Sequence, residues 1–220
     1  EPSDSARIVA SNMAADVLLN GQGNSGTILS HFFISLAEEL ATVEDECALS
    51  IDAFARCLAR TGTKMNDAVS NPMEGTIVSV ARDGCCVDDR SYASLRALLD
   101  AWMLKCSDAL ARTPDQLIVD GVKVLEKAGV VDSGAQGFVY IVEGMLMASK
   151  GELPEARDPS LFESRDVVGE DAAVGSYVDD HNVLDTKFQF CTEAVVHLKD
   201  GVDKAAVLEC ITTAADAGLG

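Results

Sequence analysis

Three short segments of the chain combine glycine with polar side chains that could bind a phosphate-bearing ligand. The first runs from Gly21 to Gly26 and places Asn24 and Ser25 directly before an apolar stretch. Glycine lets the backbone approach a ligand closely, and a helix start offers unpaired N–H groups and a partial positive charge that suit an anion. The same residues also fit an ordinary interhelical turn, with Ser25 as the N-cap of the following helix.

The second and third segments repeat this pattern. Residues 71–76 read NPMEGT, and residues 129–137 read GVVDSGAQG. Thr76 brings a hydroxyl to a helix start, and Asp132 could accept hydrogen bonds from a hydroxyl or amine of a ligand. Each residue could equally be a plain helix cap. The set as a whole favours a function, because turns between up-and-down helices can converge on one end of a bundle.

Helical patterns surround the three segments, since apolar residues recur with a period near 3.6. The predicted helices cover residues 5–19, residues 27–41, a stretch from Ser50 or Asp52, a short stretch around Met65 and Val69, residues 74–81, residues 91–112, and a last stretch from Asp132 to Lys150. Thr113 and Pro114 are predicted to be the N-cap and first residue of one more helix, which ends at Ala128. Residues 1–150 are therefore predicted to form one helical domain.

The chain changes character after Lys150. Residues 151–185 scatter prolines and glycines among many acidic residues, which predicts a linker. Residues 187–198 read KFQFCTEAVVHL and are rich in aromatic and β-branched residues, which predicts a strand. A turn and a helix capped by Asp203 follow. Residues 186–220 are therefore predicted to begin an α/β domain.

The overall composition excludes several classes of partner. The net charge is −19, from 36 acidic and 17 basic residues. Nucleic acids and anionic membranes demand clustered Lys and Arg, so neither is expected to bind. Apolar runs fall far short of the roughly 18 residues that span a membrane, so no membrane insertion is expected. Seven cysteines without a CxxC pair, in a chain that opens without a signal peptide, predict reduced thiols and a cytoplasmic location.

The three segments resemble hallmark segments of a known family. Written out, GNSGTILSHFF, NPMEGTIVSVA and AGVVDSGAQGFVYIVEGML resemble those of the DhaL-like family, in the family's order and over about residues 5–150. The resemblance is closest to the branch found in the nucleotide-binding subunit of bacterial fatty acid kinase. FQFCTEAVV resembles the start of the middle domain of that subunit. The resemblance implies an antiparallel helical barrel that binds ATP or ADP at one end.

The resemblance also implies site residues, by motif match. The implied nucleotide-binding residues are Asn24, Ser25 and Gly26 at the phosphates, Met73 and Thr76 along the site, and Asp132, Ser133 and Gly134 at an Asp-x-Gly motif. It assigns no catalytic residue within this chain. Cys191 matches a cysteine that helps to bind Zn²⁺ in the middle domain, whose histidine partners would lie beyond Gly220.

The resemblance further implies magnesium, held by a cluster of aspartates that should precede the first helix. The acidic residues before Ile8 are Glu1 and Asp4, and they form no such cluster. We expect the Mg²⁺ ligands to lie upstream, because Glu1 and Gly220 have the character of cuts through a longer protein. This polypeptide alone is therefore expected to be inactive.

The implied activity is that of an ATP-dependent, glycerone kinase-like phosphotransferase subunit. In the fatty acid kinase branch, the acceptor is a fatty acid carboxylate carried by a DegV-like partner, and the product is an acyl phosphate. An alternative acceptor is dihydroxyacetone (glycerone). A second alternative is a non-catalytic nucleotide-binding or scaffold module. A homodimer is compatible with each of these readings.

Overall fold

The computed structural model describes residues 5–43, 49–152, 198–199 and 201–216 of the chain. The chain divides into two compact units, Glu1–Leu161 and Phe162–Gly220. Cys191, most of the predicted linker and the predicted strand up to residue 197 lie outside the described residues, so those assignments stay predictions. No helix in the described part of the chain has the length and apolar character needed to cross a membrane.

The first unit is built mainly from helices, as predicted. Its elements in chain order are α1 (Ala6–Asn20), α2 (Gly23–Ala41), α3 (Ile51–Lys64), a 3-10 turn (Met65–Ala68), α4 (Ile77–Gly84), α5 (Leu95–Gln116), β1 (Ile118–Val119), β2 (Val122–Lys123), α6 (Val124–Ala128) and α7 (Ser133–Lys150). The described part of the second unit contains α8 (Lys204–Asp216), and Asp203 Oδ1 accepts a hydrogen bond from Ala205 N at its start. The mainly α fold class is confirmed.

Side-chain caps fix the starts of three long helices. Ser50, Ser94 and Asp132 each accept a hydrogen bond from the backbone N–H three residues later, at 3.1, 3.1 and 2.8 Å. Such a cap satisfies one of the N–H groups that a helix start leaves without a partner. At the other end of α7, Gly151 adopts a positive φ of 74°, a conformation that favours glycine. The predicted bounds of α7 are therefore confirmed.

The separate helix predicted to begin at Thr113 is wrong, because α5 continues through Pro114 to Gln116. A proline inside a helix cannot donate to the carbonyl four residues earlier. Here the Thr113 hydroxyl donates to that carbonyl, Leu110 O, at 2.8 Å. A β-hairpin then replaces the predicted helical stretch, and its turn consists of Asp120 and Gly121, both with positive φ. An Asp-Gly pair between β-branched residues is a typical hairpin signal.

Three predicted helix starts also differ from the structure, and one of them is that of α5, which begins at Leu95 and not at residue 91. α2 begins at Gly23, so Asn24 and Ser25 lie in its first turn, and Ser25 is not its N-cap. α4 begins at Ile77, and Glu74 belongs to the turn before it. The polar segments therefore contribute to the helix starts themselves or to the turns that immediately precede them.

The fully buried residues of α1 are small ones, while Met13 and Val17 of the predicted apolar stripe are only partly buried against the core. Ala10 and Ala14 are buried, whereas Ile8 and Val9 are exposed. Small side chains on the contact face let two helix backbones approach closely, which lets short apolar residues make the contact. The burial of α1 therefore could not be predicted from the size of its apolar side chains.

An aromatic cluster joins α2, α5 and α7. The Phe32 ring lies 5.3 Å from Phe33, 6.3 Å from Trp102 and 5.0 Å from Phe138, measured between ring centroids. Phe32 is 1% exposed, and the other three rings are also buried. Aromatic pairs at such distances stabilise a core beyond the burial of their area. The cluster therefore fixes α2 and α7, which carry the first and third polar segments, relative to each other.

Truncating the central ring should lower the stability of the whole unit. We expect Phe32→Ala to reduce the free energy of unfolding by about 3–5 kcal/mol, because it removes a buried ring and leaves a cavity. Tyr140→Ala is the matched control, since Tyr140 is an aromatic residue on α7 that is 62% exposed. Urea unfolding can be followed by the fluorescence of Trp102, the single tryptophan of the chain. A loss for Phe32→Ala no larger than that for Tyr140→Ala would contradict the cluster's role.

Candidate functional site

The three polar segments converge on one cleft of about 390 Å³ in the first unit. The polar side of the lining consists of Asn24, Ser25, Asn71, Thr76 and Asp132. The apolar side consists of Ile28, Val69, Met73, Ile77 and Val78. The segments were predicted to meet at one end of the bundle, and the structure places them together there.

Three helix N-termini lie at this cleft, those of α2, α4 and α7. Each N-terminus carries a partial positive charge and N–H groups without helical partners, so the arrangement suits an anion. At α7 the Asp132 carboxylate occupies one N–H, whereas the α2 start, within the described residues, has no side-chain cap at Gln22. The lining described contains no Lys or Arg. Backbone groups of α2 are therefore better candidates than those of α7 to meet a phosphate.

The starts of α2 and α7 touch each other through Gly134. A side chain at this position would overlap Ser25 Oγ, and its Cβ would lie 3.2 Å from Ser25 Cβ. Gly134 itself does not line the cleft, but its missing side chain leaves the room that Ser25 occupies. The first and third segments are therefore in direct contact.

The second segment packs against the end of α5 through Gly75. Gly75 has a φ of +79°, and a Cβ there would lie 2.9 Å from the Gln116 carbonyl carbon and closer still to Leu117 N. Only glycine combines this backbone conformation with such a close approach at low cost. The preceding Glu74 carboxylate accepts two hydrogen bonds from the Arg82 guanidinium, at 2.7 and 2.9 Å. These bonds hold the pKa of Glu74 below its ordinary value.

The Thr76 side chain has both a structural bond and free acceptor capacity. Its hydroxyl donates to Met73 O at 2.7 Å. Ser79 Oγ accepts from Gly75 N and Thr76 N, at 3.0 and 3.2 Å, and so satisfies the two backbone N–H groups that directly precede α4. Because a hydroxyl has two lone pairs, Thr76 Oγ1 can still accept a hydrogen bond from a ligand in the cleft.

Besides Gly134, two of the residues assigned by resemblance, Gly26 and Ser133, lie beside the cleft without lining it. Gly26 packs closely against Gly21, since a Cβ on Gly26 would lie 2.8 Å from the Gly21 carbonyl carbon. Gly26 therefore allows the tight turn between α1 and α2. Ser133 is exposed and is absent from the lining. Ser133 is the first residue of α7, so it contributes its backbone N–H to the α7 start.

Sequence reasoning missed several residues that build the site. Asn71, Ile28, Val69, Ile77 and Val78 line the cleft, and the four apolar ones follow the same pattern as core residues. Asn71 could have been noticed, because it opens the second segment directly before Pro72. Periodicity cannot separate a cleft wall from a core, since both demand apolar side chains on the inner face of a helix.

The described residues do not form a protein-held magnesium site. They contain no group of three or more His, Cys, Asp or Glu side chains that could hold a metal ion. Asp132 is the one carboxylate of the described lining, and its Oδ2 already accepts from Ala135 N at 2.8 Å. Magnesium prefers several oxygen ligands in octahedral geometry, which this donor set does not supply. The Mg²⁺ ligands that the resemblance implies are therefore still predicted, and they are expected outside the described residues.

A helical unit in which three helix N-termini surround one cleft is a domain suited to hold an anionic ligand at one end of its bundle. Residues 1–147 match the family model of the DAK2 domain, and the chain belongs to this kinase-related family. The resemblance to the DhaL-like family is thereby confirmed. Domains of this family generally bind ADP or ATP.

The chain is also similar to longer bacterial proteins. It is 33% identical to Protein YloV of Bacillus subtilis over 195 residues, which cover 86% of this chain and 33% of that protein. It is 33% identical to an uncharacterized protein of Staphylococcus epidermidis over 186 residues, which cover 82% of this chain and 31% of that protein. The chain thus spans about a third of the length of these relatives.

Adding a methyl group at Gly75 should disrupt the second segment. We expect Gly75→Ala to reduce the free energy of unfolding by more than about 1 kcal/mol, because alanine is strained at positive φ and would overlap the end of α5. Gly144→Ala is the control, and we expect it to change the free energy of unfolding in the opposite direction. Gly144 is an exposed helical residue of α7 with open space around its Cβ, so alanine should stabilise the helix by about 0.5–1 kcal/mol. Thermal unfolding of both variants measures the difference, and equal midpoints would contradict the close approach at Gly75.

Proposed function

We propose that this chain is the nucleotide-binding part of an ATP-dependent, glycerone kinase-like phosphotransferase. The observation that carries the proposal is the convergence of three helix N-termini on one cleft, with the α2 start lacking a side-chain cap among the described residues. Phosphoryl transfer depends chiefly on positioning the phosphates and neutralising their charge. A cleft lined by backbone N–H groups performs the first of these tasks and part of the second.

The two sides of the cleft suit different parts of a nucleotide. The polar side, with Asn24 and Ser25 at the α2 start, suits the phosphates. The apolar side, with Val69, Met73 and Ile77, suits the flat face of a base. A volume of about 390 Å³ lies within the usual range for small-molecule sites. The Asp132 carboxylate would repel a phosphate, so its expected partner is a hydroxyl or amine of the ligand.

The acceptor that we propose is a fatty acid carboxylate carried by a DegV-like partner, with an acyl phosphate as product. Two features support this acceptor over dihydroxyacetone. The similarity to YloV covers 195 residues and so extends past the 147 residues of the DAK2 match. Residues 187–198 also have the composition expected for the middle domain of the fatty acid kinase branch. We place this activity in the cytoplasm, with magnesium on the nucleotide and zinc in the middle domain.

A non-catalytic nucleotide-binding module is the second candidate. The observation that favours it is the single carboxylate in the described lining of the cleft. Mg²⁺ is usually held by one or two carboxylates together with the phosphates of the nucleotide, and the Asp132 carboxylate already accepts a hydrogen bond from Ala135 N. Such a module would bind a nucleotide and would transfer no phosphate.

Nucleotide binding can be tested with a closely matched pair of threonine variants. Thr76 and Thr63 each donate a hydroxyl hydrogen bond of 2.7 Å to the carbonyl three residues earlier, but only Thr76 lies at the cleft. We expect calorimetric titration to show ADP binding by the unsubstituted chain. Thr76→Val should weaken that binding about three- to tenfold, the effect of one hydrogen bond, and Thr63→Val should leave it unchanged. No binding by the unsubstituted chain, or equal losses in the two variants, would contradict the proposed site.

The acceptor requires a separate assay of phosphoryl transfer. The chain would be tested alone and with a family-type aspartate-rich segment joined before Glu1, each with Mg²⁺ and ATP. We expect transfer only from the extended protein, because the added carboxylates supply metal ligands, and only to a fatty acid bound to a DegV-like protein. Hydroxylamine traps the acyl phosphate as a hydroxamate. Transfer to dihydroxyacetone would reassign the acceptor, and nucleotide binding without transfer in both forms would favour the non-catalytic module.

A further inference from the structure

We infer that Thr113, which lies outside the three polar segments, is a positioning residue that holds Asp132 at the cleft. The inference rests on the proposed function, because it concerns the placement of a residue in the nucleotide site. Thr113 lies near the end of α5 and is 0% exposed. A buried hydroxyl in such a place needs partners, and its partners show what it holds.

The Thr113 hydroxyl links the end of α5 to the start of the third segment. It donates to Leu110 O at 2.8 Å and accepts a hydrogen bond from Asp132 N at 3.2 Å. A hydroxyl has one proton to donate. Because that proton is committed to Leu110 O, the lone pairs of Thr113 Oγ1 remain for the N–H of Asp132.

Pro114 leaves the carbonyl that the Thr113 hydroxyl uses without its helical N–H partner. In a regular helix, the N–H of residue 114 would bond to Leu110 O. Proline has no N–H, so the Leu110 carbonyl is left for the neighbouring hydroxyl. The Leu110 carbonyl accepts from the Thr113 hydroxyl at 2.8 Å and has no N–H of residue 114 to share with it. The hydroxyl so oriented presents an acceptor to Asp132.

Asp132 is consequently held at both its main chain and its side chain. Its N–H is bonded to Thr113, and its carboxylate accepts from Ala135 N at 2.8 Å. The same stretch of α5 also supports the second segment, because Gly75 packs against Gln116 and Leu117. The end of α5 thus sets the positions of two of the three segments that line the cleft.

The test compares two fully buried threonines whose hydroxyls each donate a 2.8 Å hydrogen bond to a carbonyl of their own helix, and Thr113 differs in also accepting from Asp132 N. Thr61 is also 0% exposed, and its hydroxyl donates to Cys57 O at 2.8 Å. We expect Thr113→Val to weaken ADP binding about three- to tenfold, the loss of one hydrogen bond. Thr113→Ser should bind within about twofold of the unsubstituted chain, because it keeps the hydroxyl, and Thr61→Val should not change ADP affinity.

A double-mutant cycle separates positioning from general destabilisation. In the Asp132→Ala background there is no carboxylate to position, so Thr113→Val should have no further effect on ADP affinity. Equal losses from Thr113→Val in both backgrounds would overturn the inference, and so would unchanged ADP affinity in Thr113→Val itself. Failure of the unsubstituted chain to bind ADP would instead contradict the proposed function.

A measurement on the unsubstituted chain covers the cases in which Thr113→Val fails to fold or ADP does not bind. The N–H of Asp132 should exchange with solvent deuterium slowly, as the helix interior does, because a buried hydroxyl accepts its hydrogen bond. Exchange of that amide at the rate of an exposed loop would show that Thr113 does not hold Asp132, and would overturn the inference without reference to any ligand.

Discussion

The structure depends on holding three helix N-termini of like sign around one cleft. Each N-terminus carries roughly half a positive elementary charge, so their proximity is unfavourable, and the Asp132 carboxylate offsets part of this at the start of α7. The aromatic contacts of Phe32 with Trp102 and Phe138 oppose the remaining repulsion, because they hold α2 and α7, two of the three helices, together in the core. An anion that enters the cleft removes the repulsion, which couples the stability of the bundle to occupation of the site.

Glycine and hydroxyl groups act together in this arrangement. Gly75 lets the second segment approach the backbone at the end of α5, and Gly134 leaves room for the Ser25 side chain. Thr113 and Ser79 then satisfy the backbone N–H groups that such close approaches would leave without partners. The short polar side chains of the unit therefore have two distinct roles, since some face the cleft and others support the segments that line it.

The sequence predicts the helical class and the three segments, because periodicity, caps and glycine-bearing turns are local signals. The convergence of the segments is an expectation that rests on the resemblance, since it depends on how the helices pack. The sequence does not predict the hairpin at Asp120, because Thr113 and Pro114 are interpreted as the start of a helix that covers this stretch. The apolar wall of the cleft has no separate signal, as Ile77 and Val78 have the same pattern as core residues. The role of Thr113 depends on a contact 19 residues away in sequence, which only the folded chain brings together.

The lack of Lys and Arg in the described lining has a kinetic consequence. The chain carries a net charge of −19, so a polyanionic ligand approaches against a repulsive long-range field. Added salt screens that field over about 10 Å at 0.1 M, whereas short-range bonds from backbone N–H groups are screened much less. Association with a phosphate-bearing ligand should therefore become faster as ionic strength rises, the reverse of the behaviour of proteins that attract phosphates with basic side chains.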